Sequence, residues 1–289
     1  MPGMEEVMEA VRARPAVPLS PYIGWYSGYR QEGVAPARHR GLPSPYLTLI
    51  ITLDDPLSVA AHPDPRQPPG QYVTLLGGLH TSPAVITHQG RQSGIQVGLS
   101  PLGARALLGL PAGELASIDV DAAAVLGQVA SELHERVRGA GGWPERFAII
   151  DEVLLRRLQL DRAAPSAVVA AWRTLLDSGG LVTVGQLVRE TGWSSRHLQD
   201  RFREEVGLTP KAAGRVIRFD LARRRLQNQA ASRELRSLAD LAVDCGYFDQ
   251  AHLAREFRDL AGVPPSRWLA EEFRNVQVPP ADPVAELAP

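Results

Sequence analysis

The last third of the chain contains the same short pattern twice, and this repeat constrains the fold more than any other feature of the sequence. Each copy has a glycine and an aromatic residue, then a leucine, a phenylalanine, a second glycine and a proline. The copies are Gly192, Trp193, Leu198, Phe202, Gly207 and Pro210, then Gly246, Tyr247, Leu253, Phe257, Gly262 and Pro265. The first glycines are 54 residues apart and the leucines 55, so the second copy has one extra residue after its aromatic. Repetition at a fixed spacing predicts two copies of one supersecondary unit.

Each copy predicts a helix, a glycine turn and a second helix. Apolar residues recur at i, i+3 and i+4 behind polar residues that are able to cap a helix. The predicted caps, in chain order, are Thr183, Ser194, Ser237 and Asp249. Glycine tolerates the left-handed backbone that ends a helix. The predicted structural turns are at Gly192, Gly207, Gly246 and Gly262.

The second helix of each copy has a polar face that is suited to DNA. Long hydrogen-bonding side chains with few bulky apolar neighbours match the edges of base pairs in a major groove. The predicted DNA-binding residues are Ser195, Arg196, Gln199, Asp200 and Arg203 in the first copy, and Gln250, Ala251, His252 and Arg255 in the second. For one copy alone, a solvated helix face is an equal alternative. Two copies with matching caps, turns and apolar stripes favour DNA binding.

These residues resemble the double helix-turn-helix DNA-binding domain of the AraC-type transcriptional regulators. The resemblance covers residues 165–275 and includes the segments 192–194, 207–210 and 245–247. It implies an all-α domain of seven helices in two lobes, lobe one with the first copy and lobe two with the second. The recognition helices would enter successive major grooves of double-stranded DNA. Base contacts are implied for Arg196, Gln199, Asp200, Gln250, Ala251 and Arg255. An acid at position 200 departs from the usual basic or amide residue, so lobe one is expected to contribute less specificity.

A long helix is predicted between the copies. It begins at Thr209-Pro210 and keeps a helical period to about Gln227, ahead of a polar stretch at residues 228–233. About seventeen residues span roughly 26 Å. This length is of the order needed to separate two recognition helices by one DNA turn, roughly 34 Å. The run Arg223, Arg224 and Arg225 is expected either to contact phosphates or to be solvated.

Charge and cysteine content restrict the interpretation. The whole chain has a net charge of −1, and residues 183–275 contain 16 Lys and Arg against 13 Asp and Glu, a net +3. The DNA-binding prediction therefore rests on the motif, since a basic patch alone would not support it. The single cysteine, Cys245, excludes disulfide frameworks and zinc fingers. It is interpreted as a small buried side chain, with a redox sensor as the alternative.

The amino-terminal part predicts a β-rich domain over residues 1–121, so the expected fold class is α+β. Alternation and β-forming residues predict strands at 46–53, 72–76, 84–88 and 95–99, with a loop at 62–70. In AraC-type regulators such a domain is often a cupin-like barrel that binds an effector and helps the protein to dimerise. Segments 18–26 and 95–109 are similar to sensor domains of that group.

A helical region is expected between the two domains. Helices are predicted at 101–108, 122–138 and 146–160, with a break at 139–144 and a linker at 161–165. Residues 122–164 are assigned to this linker region, which either forms a dimer seam or packs on its own β-domain. Residues 276–289 are predicted to be a disordered, proline-rich tail.

The β-domain offers little evidence for catalysis. A metal-dependent cupin needs several imidazoles and a carboxylate at one point, but no His-x-His pair occurs. The four histidines, expected at the surface or with one hydrogen bond, are His39, His62, His80 and His88. No catalytic residue, metal or cofactor is expected. The alternatives are a metal cupin enzyme fused to a DNA-binding module and a regulator without an effector.

The sequence therefore predicts a transcriptional regulator that binds specific DNA and is controlled through its amino-terminal domain, and it assigns no ligand-binding residue. The expected partners are double-stranded operator DNA, a small-molecule effector, a second copy of the chain and, for an activator, RNA polymerase. The first six residues do not begin a signal peptide, and no run of eighteen apolar residues occurs. Cytoplasmic localisation without membrane contact is expected.

Overall fold

The computed structural model describes residues 7–232 and 236–272. The expectations for residues 1–6 and for the tail at 276–289 lie outside these ranges, as do Arg233 and the last three residues of the predicted DNA-binding domain. The described residues combine a β-rich amino-terminal part with an all-α carboxyl-terminal part, which confirms the α+β prediction.

Ten strands form the amino-terminal part of the described chain. They are β1 (Val7–Ala13), β2 (Ile23–Glu32), β3 (Ala37–Gly41), β4 (Leu47–Thr52), β5 (Leu57–Ala61), β6 (Gly70–Tyr72), β7 (Thr74–Gly77), β8 (Ala84–His88), β9 (Gln92–Leu99) and β10 (Asp119–Asp121). The predicted strands at 46–53, 84–88 and 95–99 correspond to β4, β8 and β9. The single strand expected at 72–76 is wrong, because β6 ends at Tyr72 and β7 begins in the other sheet at Thr74.

The strands belong to two antiparallel sheets, in contrast to the closed barrel that the resemblance implied. The large sheet has the order β1-β2-β9-β4-β7-β10, and the small sheet has the order β3-β8-β5-β6. Strand β4 is buried on both faces. Leu49 and Ile51 join the main core, whereas Ile50 packs with Val59 and Ile86 of the small sheet. The large sheet is therefore covered by helices on one face and by the small sheet on the other.

Eleven α-helices occur in the described ranges. They are α1 (Ala104–Leu108), α2 (Ala123–Leu126), α3 (Gln128–Gly139), α4 (Trp143–Arg157), α5 (Ser166–Asp177), α6 (Val184–Thr191), α7 (Ser195–Val206), α8 (Pro210–Ser232), α9 (Leu238–Asp244), α10 (Gln250–Ala261) and α11 (Pro265–Glu272). Short 3-10 turns occur at Val17–Leu19, Pro101–Gly103 and Ala112–Leu115. The helix predicted at 122–138 is interrupted by Gly127, whose φ is 60°. Helix α4 begins before the predicted position, since Pro144 fits the first turn of a helix.

Helices α3 and α4 pack on their own large sheet. The ring of Phe147 stacks on Tyr26 with 5.8 Å between centroids, and the Tyr26 hydroxyl donates to Asp151 Oδ1 at 2.8 Å. The Trp143 ring lies against Gly28, where any Cβ would be only 2.4 Å from it. Helices α3 and α4 thus pack on the β-domain, and the dimer seam stays a prediction.

The carboxyl-terminal helices form two lobes around α8. Lobe one contains α6 and α7 with α5, and lobe two contains α9 and α10 with α11. Phe202 is fully buried beside Trp172 in lobe one, and Phe257 is fully buried between Phe219 and Trp268 in lobe two. The seven helices α5 to α11 match the expected domain.

The joining helix is longer than predicted. Helix α8 continues to Ser232, past the expected end near Gln227, and its 23 residues span about 35 Å. Residues 228–232, whose polar side chains indicated a helix end, are part of α8. Gln227 is buried and accepts a hydrogen bond from Arg223 at 3.3 Å, while Arg225 donates to the carbonyl oxygen of Asp244 at 2.8 Å.

Candidate nucleic-acid interface and central cavity

The first recognition helix, α7, is fixed at its amino end by local contacts. The Ser194 hydroxyl accepts a hydrogen bond from the His197 backbone at 3.2 Å, as predicted for a cap. The His197 ring packs edge-on against Trp193, with 4.5 Å between centroids. All five predicted DNA-binding residues of α7 are exposed: Ser195, Arg196, Gln199, Asp200 and Arg203.

The exposed face of α7 contains partners for its own polar groups. Asp200 lies 3.9 Å from the Nε of Arg196, with 70% and 94% of the two side chains exposed. Gln199 donates to the Ser195 hydroxyl at 3.1 Å. Such exposed pairs are weak and leave the side chains free to move. The carboxylate nevertheless reduces the positive potential next to the arginine.

The second recognition helix, α10, has the same type of cap. Asp249 accepts from the His252 backbone at 2.7 Å, and Gln250, Ala251 and Arg255 are exposed. His252 differs from the other predicted DNA-binding residues because it is half-buried. Its ring packs edge-on against Tyr247 at 5.2 Å, and its Nδ1 accepts from the Phe248 backbone at 3.3 Å. The structure therefore places His252 in the first turn of α10 with its ring against the aromatic residue that precedes the helix, as it does His197 in lobe one.

The four predicted turn glycines have left-handed backbones. The φ angles are 68° at Gly192, 92° at Gly207, 72° at Gly246 and 72° at Gly262. The two turns before the recognition helices differ in their surroundings. A Cβ at Gly192 would meet nothing within 4 Å, but at Gly246 it would lie 2.3 Å from Cδ2 of Leu181.

Arg223 and Arg224 of the α8 run face the amino-terminal sheets, in contrast to the expected phosphate contact or solvation, whereas Arg225 is exposed and lies against lobe two. Arg223 and Arg224 both form ion pairs with the buried Asp220, Arg224 at 2.8 Å. Burial alone would raise the pKa of Asp220, but the two guanidinium groups lower it below its usual value. Arg225 is engaged with the Asp244 carbonyl. The sequence missed this arrangement because Asp220 indicated only one more exposed helical charge.

A central cavity lies between the two sheets and α8. Its apolar walls come from both sheets and include Ile50, Leu57, Val59, Leu75 and Ile86. Its polar lining includes Arg12, Ser27, Arg40, Gln96, Arg223 and Arg224. Ser27 is only 1% exposed, and its hydroxyl has no hydrogen-bond partner among the described residues. The amino-terminal and carboxyl-terminal parts thus both contribute walls to this cavity.

The histidines of the β-domain are more buried than predicted. His39, His62 and His88 are each less than 9% exposed, so the surface alternative is wrong for these three, while His88 Nδ1 accepts a hydrogen bond from the Gly90 backbone at 3.2 Å, in line with the other alternative. His62 donates through Nδ1 to Asp119 at 2.7 Å, and the Tyr72 hydroxyl donates to its Nε2 at 3.3 Å. These bonds tie the loop before β6 to β10. Within residues 7–232 and 236–272, no three His, Cys, Asp or Glu side chains are grouped as metal ligands.

The amino-terminal part packs on the far end of the first recognition helix. Arg105 forms two hydrogen bonds of 2.7 and 2.8 Å with Glu205, whose side chain is 1% exposed, and this pairing raises the arginine pKa. Gly113 lies so close to α7 that a Cβ would be 2.4 Å from the carbonyl oxygen of Glu204. Lobe one is therefore held against the β-domain by backbone contact and a partly buried ion pair.

Lobe two makes fewer contacts with the β-domain. Arg40 of β3 forms an ion pair with Glu271 of α11. A Cβ at Gly262 would lie 3.7 Å from Pro83, an ordinary van der Waals distance. Neither contact involves the exposed face of α10. Cys245 at the turn is 2% exposed, and burial raises the pKa of its thiol.

Two family models match the chain. Residues 187–271 match a helix-turn-helix domain, and residues 11–121 match a domain of unknown function. No curated protein matched the chain. Each helix within residues 7–232 and 236–272 is too short or too polar to span a lipid bilayer.

Solved structures of AraC-type regulators are similar to the chain. A probable AraC family transcriptional regulator from Rhodopseudomonas palustris is 27% identical over 37% of this chain and 96% of its own, with a TM-score of 0.32. An apo ToxT variant from Vibrio cholerae is 9% identical over 93% of this chain and 98% of its own, with a TM-score of 0.50. The second likeness is one of fold alone.

Proposed function

Since residues 187–271 form an AraC-type helix-turn-helix domain and the chain is a DNA-binding regulator of that kind, we propose that a small molecule in the central cavity controls its binding to specific operators. The proposal rests on one observation, which is that α8 contacts both the DNA-binding lobes and the cavity. This helix joins the two lobes, and its Arg223 and Arg224 also line the cavity. A ligand that moves α8 would change how the two recognition helices are presented.

The predicted contacts with DNA follow from the exposed faces of α7 and α10. Glutamine is suited to adenine and arginine to guanine in the major groove. We propose that Gln250 and Arg255 provide most of the specificity, with Arg196 and Gln199 in a lesser role. The length of α8, about 35 Å, is close to one turn of DNA and supports binding to two successive grooves.

The cavity lining supports one chemical type of effector. The apolar walls suit a hydrocarbon or aromatic body, and the arginines of the polar lining suit an anionic or hydrogen-bond-accepting group. The Asp220 carboxylate already neutralises part of the positive charge of Arg223 and Arg224. An acidic effector would compete with this carboxylate for the guanidinium groups, and the ion pairs of α8 would rearrange. Such control is allosteric if the effector prefers one of two arrangements.

DNA binding is tested by selecting sequences from a random duplex pool with the full chain. We expect a bipartite site whose halves are about one helical turn apart. The doubly substituted chain Gln250→Ala, Arg255→Ala should lose the preference in one half-site and retain it in the other. A chain that remains folded and selects no sequence at low salt would contradict the function.

Effector control is tested by thermal unfolding of the full chain against a panel of small carboxylic acids and neutral analogues. A ligand of the cavity should raise the melting temperature and change operator affinity. In Gln96→Leu, which alters one polar wall residue, both effects should weaken while operator binding without ligand is retained. If operator affinity stays constant when a stabilising ligand is bound, the regulator works without this control.

We also propose residues 165–275 as the DNA-binding unit, with residues 122–164 assigned to the sensor side. The compact set of α5 to α11 around α8 supports this division. A purified 165–275 fragment should bind the selected operator. Tighter binding by the full chain would support a homodimer, since a second DNA-binding domain would be held nearby.

A further inference from the structure

The extra residue of the second repeat is Phe248, the most exposed large apolar side chain of the described chain. Its exposed fraction is 89%. In lobe one, Ser194 follows Trp193 directly, so no residue occupies the equivalent position. An aromatic ring in water gains free energy when a partner covers it. The helix-turn-helix structure that both lobes share does not explain why an exposed phenylalanine occurs at position 248.

The backbone at Phe248 is held on both sides. Tyr247 is 3% exposed and packs in the core of lobe two, while Asp249 caps α10. The Phe248 backbone itself donates to the ring of His252 at 3.3 Å. The backbone that bears the ring is therefore fixed. Little backbone entropy would be lost when a binding partner covers the ring.

The position of Phe248 indicates what covers it. The next two residues are the Asp249 cap and Gln250, the first residue of α10. In helix-turn-helix proteins, the amino end of the recognition helix is the part that contacts base edges. At these edges, thymine presents a C5-methyl group, the apolar feature against which a phenylalanine packs. The other bases offer only hydrogen-bonding groups at the corresponding edge.

We propose that Phe248 contacts the C5-methyl group of a thymine in the half-site bound by lobe two. The contact rests on the proposed DNA-binding function and adds one specificity residue to it. Lobe one lacks this residue, so the preference for thymine at this position belongs to only one half-site. Phe248 therefore makes the bound site asymmetric, apart from any difference between the hydrogen-bonding residues.

The test uses the full chain and the operator selected with it. Each thymine of the lobe-two half-site is replaced in turn by deoxyuridine, which lacks only the methyl group. At one position, deoxyuridine should weaken binding by the unsubstituted chain about fourfold, the effect of exposing one methyl group. Phe248→Ala should bind the thymine operator about tenfold less tightly, and should not distinguish thymine from deoxyuridine at that position.

Control variants separate this contact from other effects. Val17→Ala shortens another apolar side chain that is 86% exposed, far from the lobes in sequence, and should leave affinity unchanged. Phe248→Leu should retain part of the sensitivity to the methyl group. Circular dichroism and thermal unfolding should show that Phe248→Ala is folded.

Three outcomes would overturn the proposal. The first is equal sensitivity to deoxyuridine in the unsubstituted chain and in Phe248→Ala. The second is an equal loss of affinity for operator and random DNA, which would assign the ring to the sugar-phosphate backbone. The third is unchanged DNA binding with altered transcription, which would assign it to a protein partner. If the unsubstituted chain selects no operator, the proposed function itself fails, and the contact fails with it.

Discussion

Lobe one and lobe two are built from the same motif but differ in their surroundings. Both recognition helices are capped at the amino end, and both place a histidine ring against the aromatic residue of the turn. In lobe one the far end of α7 is held by Arg105 and Gly113, whereas at the far end of α10 a Cβ at Gly262 would lie at an ordinary 3.7 Å from Pro83. A repeated sequence therefore determines the local fold of each lobe, while contacts outside the repeat distinguish their roles.

The largest expected effect comes from breaking the attachment of lobe one. Gly113→Ala places a Cβ 2.4 Å from a backbone oxygen of α7, and backbone atoms cannot move aside as a flexible side chain can. The variant should lose about 3 kcal/mol of unfolding free energy, at the upper end for an over-packed contact. Urea denaturation measures the change.

Gly139→Ala is the matched control, because a Cβ there meets nothing within 4 Å. It should leave the unfolding free energy nearly unchanged. Equal stability of the two variants would show that lobe one is not held in the way described.

A smaller difference is expected between the arginines of the two recognition helices. Arg255→Ala should weaken operator binding by about 2 kcal/mol and relax the preference at one base pair. Arg196→Ala should cost less than about 1 kcal/mol, because Asp200 already lies beside this guanidinium. Titration of each variant with operator and random duplexes measures both effects. If Arg255→Ala loses equal affinity for both duplexes, Arg255 contacts the phosphates. If Arg196→Ala loses more operator affinity than Arg255→Ala, lobe one contributes more specificity than lobe two.

Removing the charge of Asp200 should make the contribution of lobe one to operator affinity more similar to that of lobe two. Asp200→Asn retains the shape of the side chain and relieves the competition for Arg196. We expect operator affinity to rise by about 0.5 kcal/mol, in the range of an exposed charge interaction. Asp259→Asn, a matched change on α10, should have less effect because Arg215 pairs that carboxylate at 3.3 Å. A loss of affinity in Asp200→Asn would show that the carboxylate itself contacts a base.

The weakest of these effects concerns salt. Each recognition helix contains equal numbers of acidic and basic residues, three of each in α7 and two of each in α10. Few phosphate contacts are therefore expected, with a log–log slope of about −4 or shallower. Binding isotherms over a series of salt concentrations measure this slope. A slope near −10 would contradict the charge count and indicate further basic contacts with DNA.

Local features were predictable from the sequence, whereas contacts between distant segments were not. The cap at Thr183 and the left-handed turn at Gly192 depend on neighbouring residues, and both are present in the structure. By contrast, the partial burial of Arg224 depends on the amino-terminal sheets, which lie more than 100 residues away along the chain. The same limit explains His62, whose partner Asp119 is 57 positions along the chain. Periodicity contains no information about such pairs.

The strand predictions show the same limit in another form. The alternating pattern located β4. Val73 separates β6 from β7, but nothing in the sequence at this residue indicates that the two strands belong to different sheets. The resemblance implied one barrel, whereas the hydrogen bonds divide the strands between two sheets. Sheet membership depends on pairing between segments far apart, which a single sequence does not specify.

The shared walls of the cavity have a consequence for protein engineering. Most buried apolar residues form one continuous cluster from Leu19 to Trp268, and α8 provides one wall of the cavity between the two sheets. A chimera that joined residues 1–164 to the DNA-binding part of another regulator would lose Arg223 and Arg224, along with the surface against which Arg105 packs. Exchanging whole domains would thus not transfer the proposed effector recognition intact. The part to be transplanted would have to include the matching face of α8.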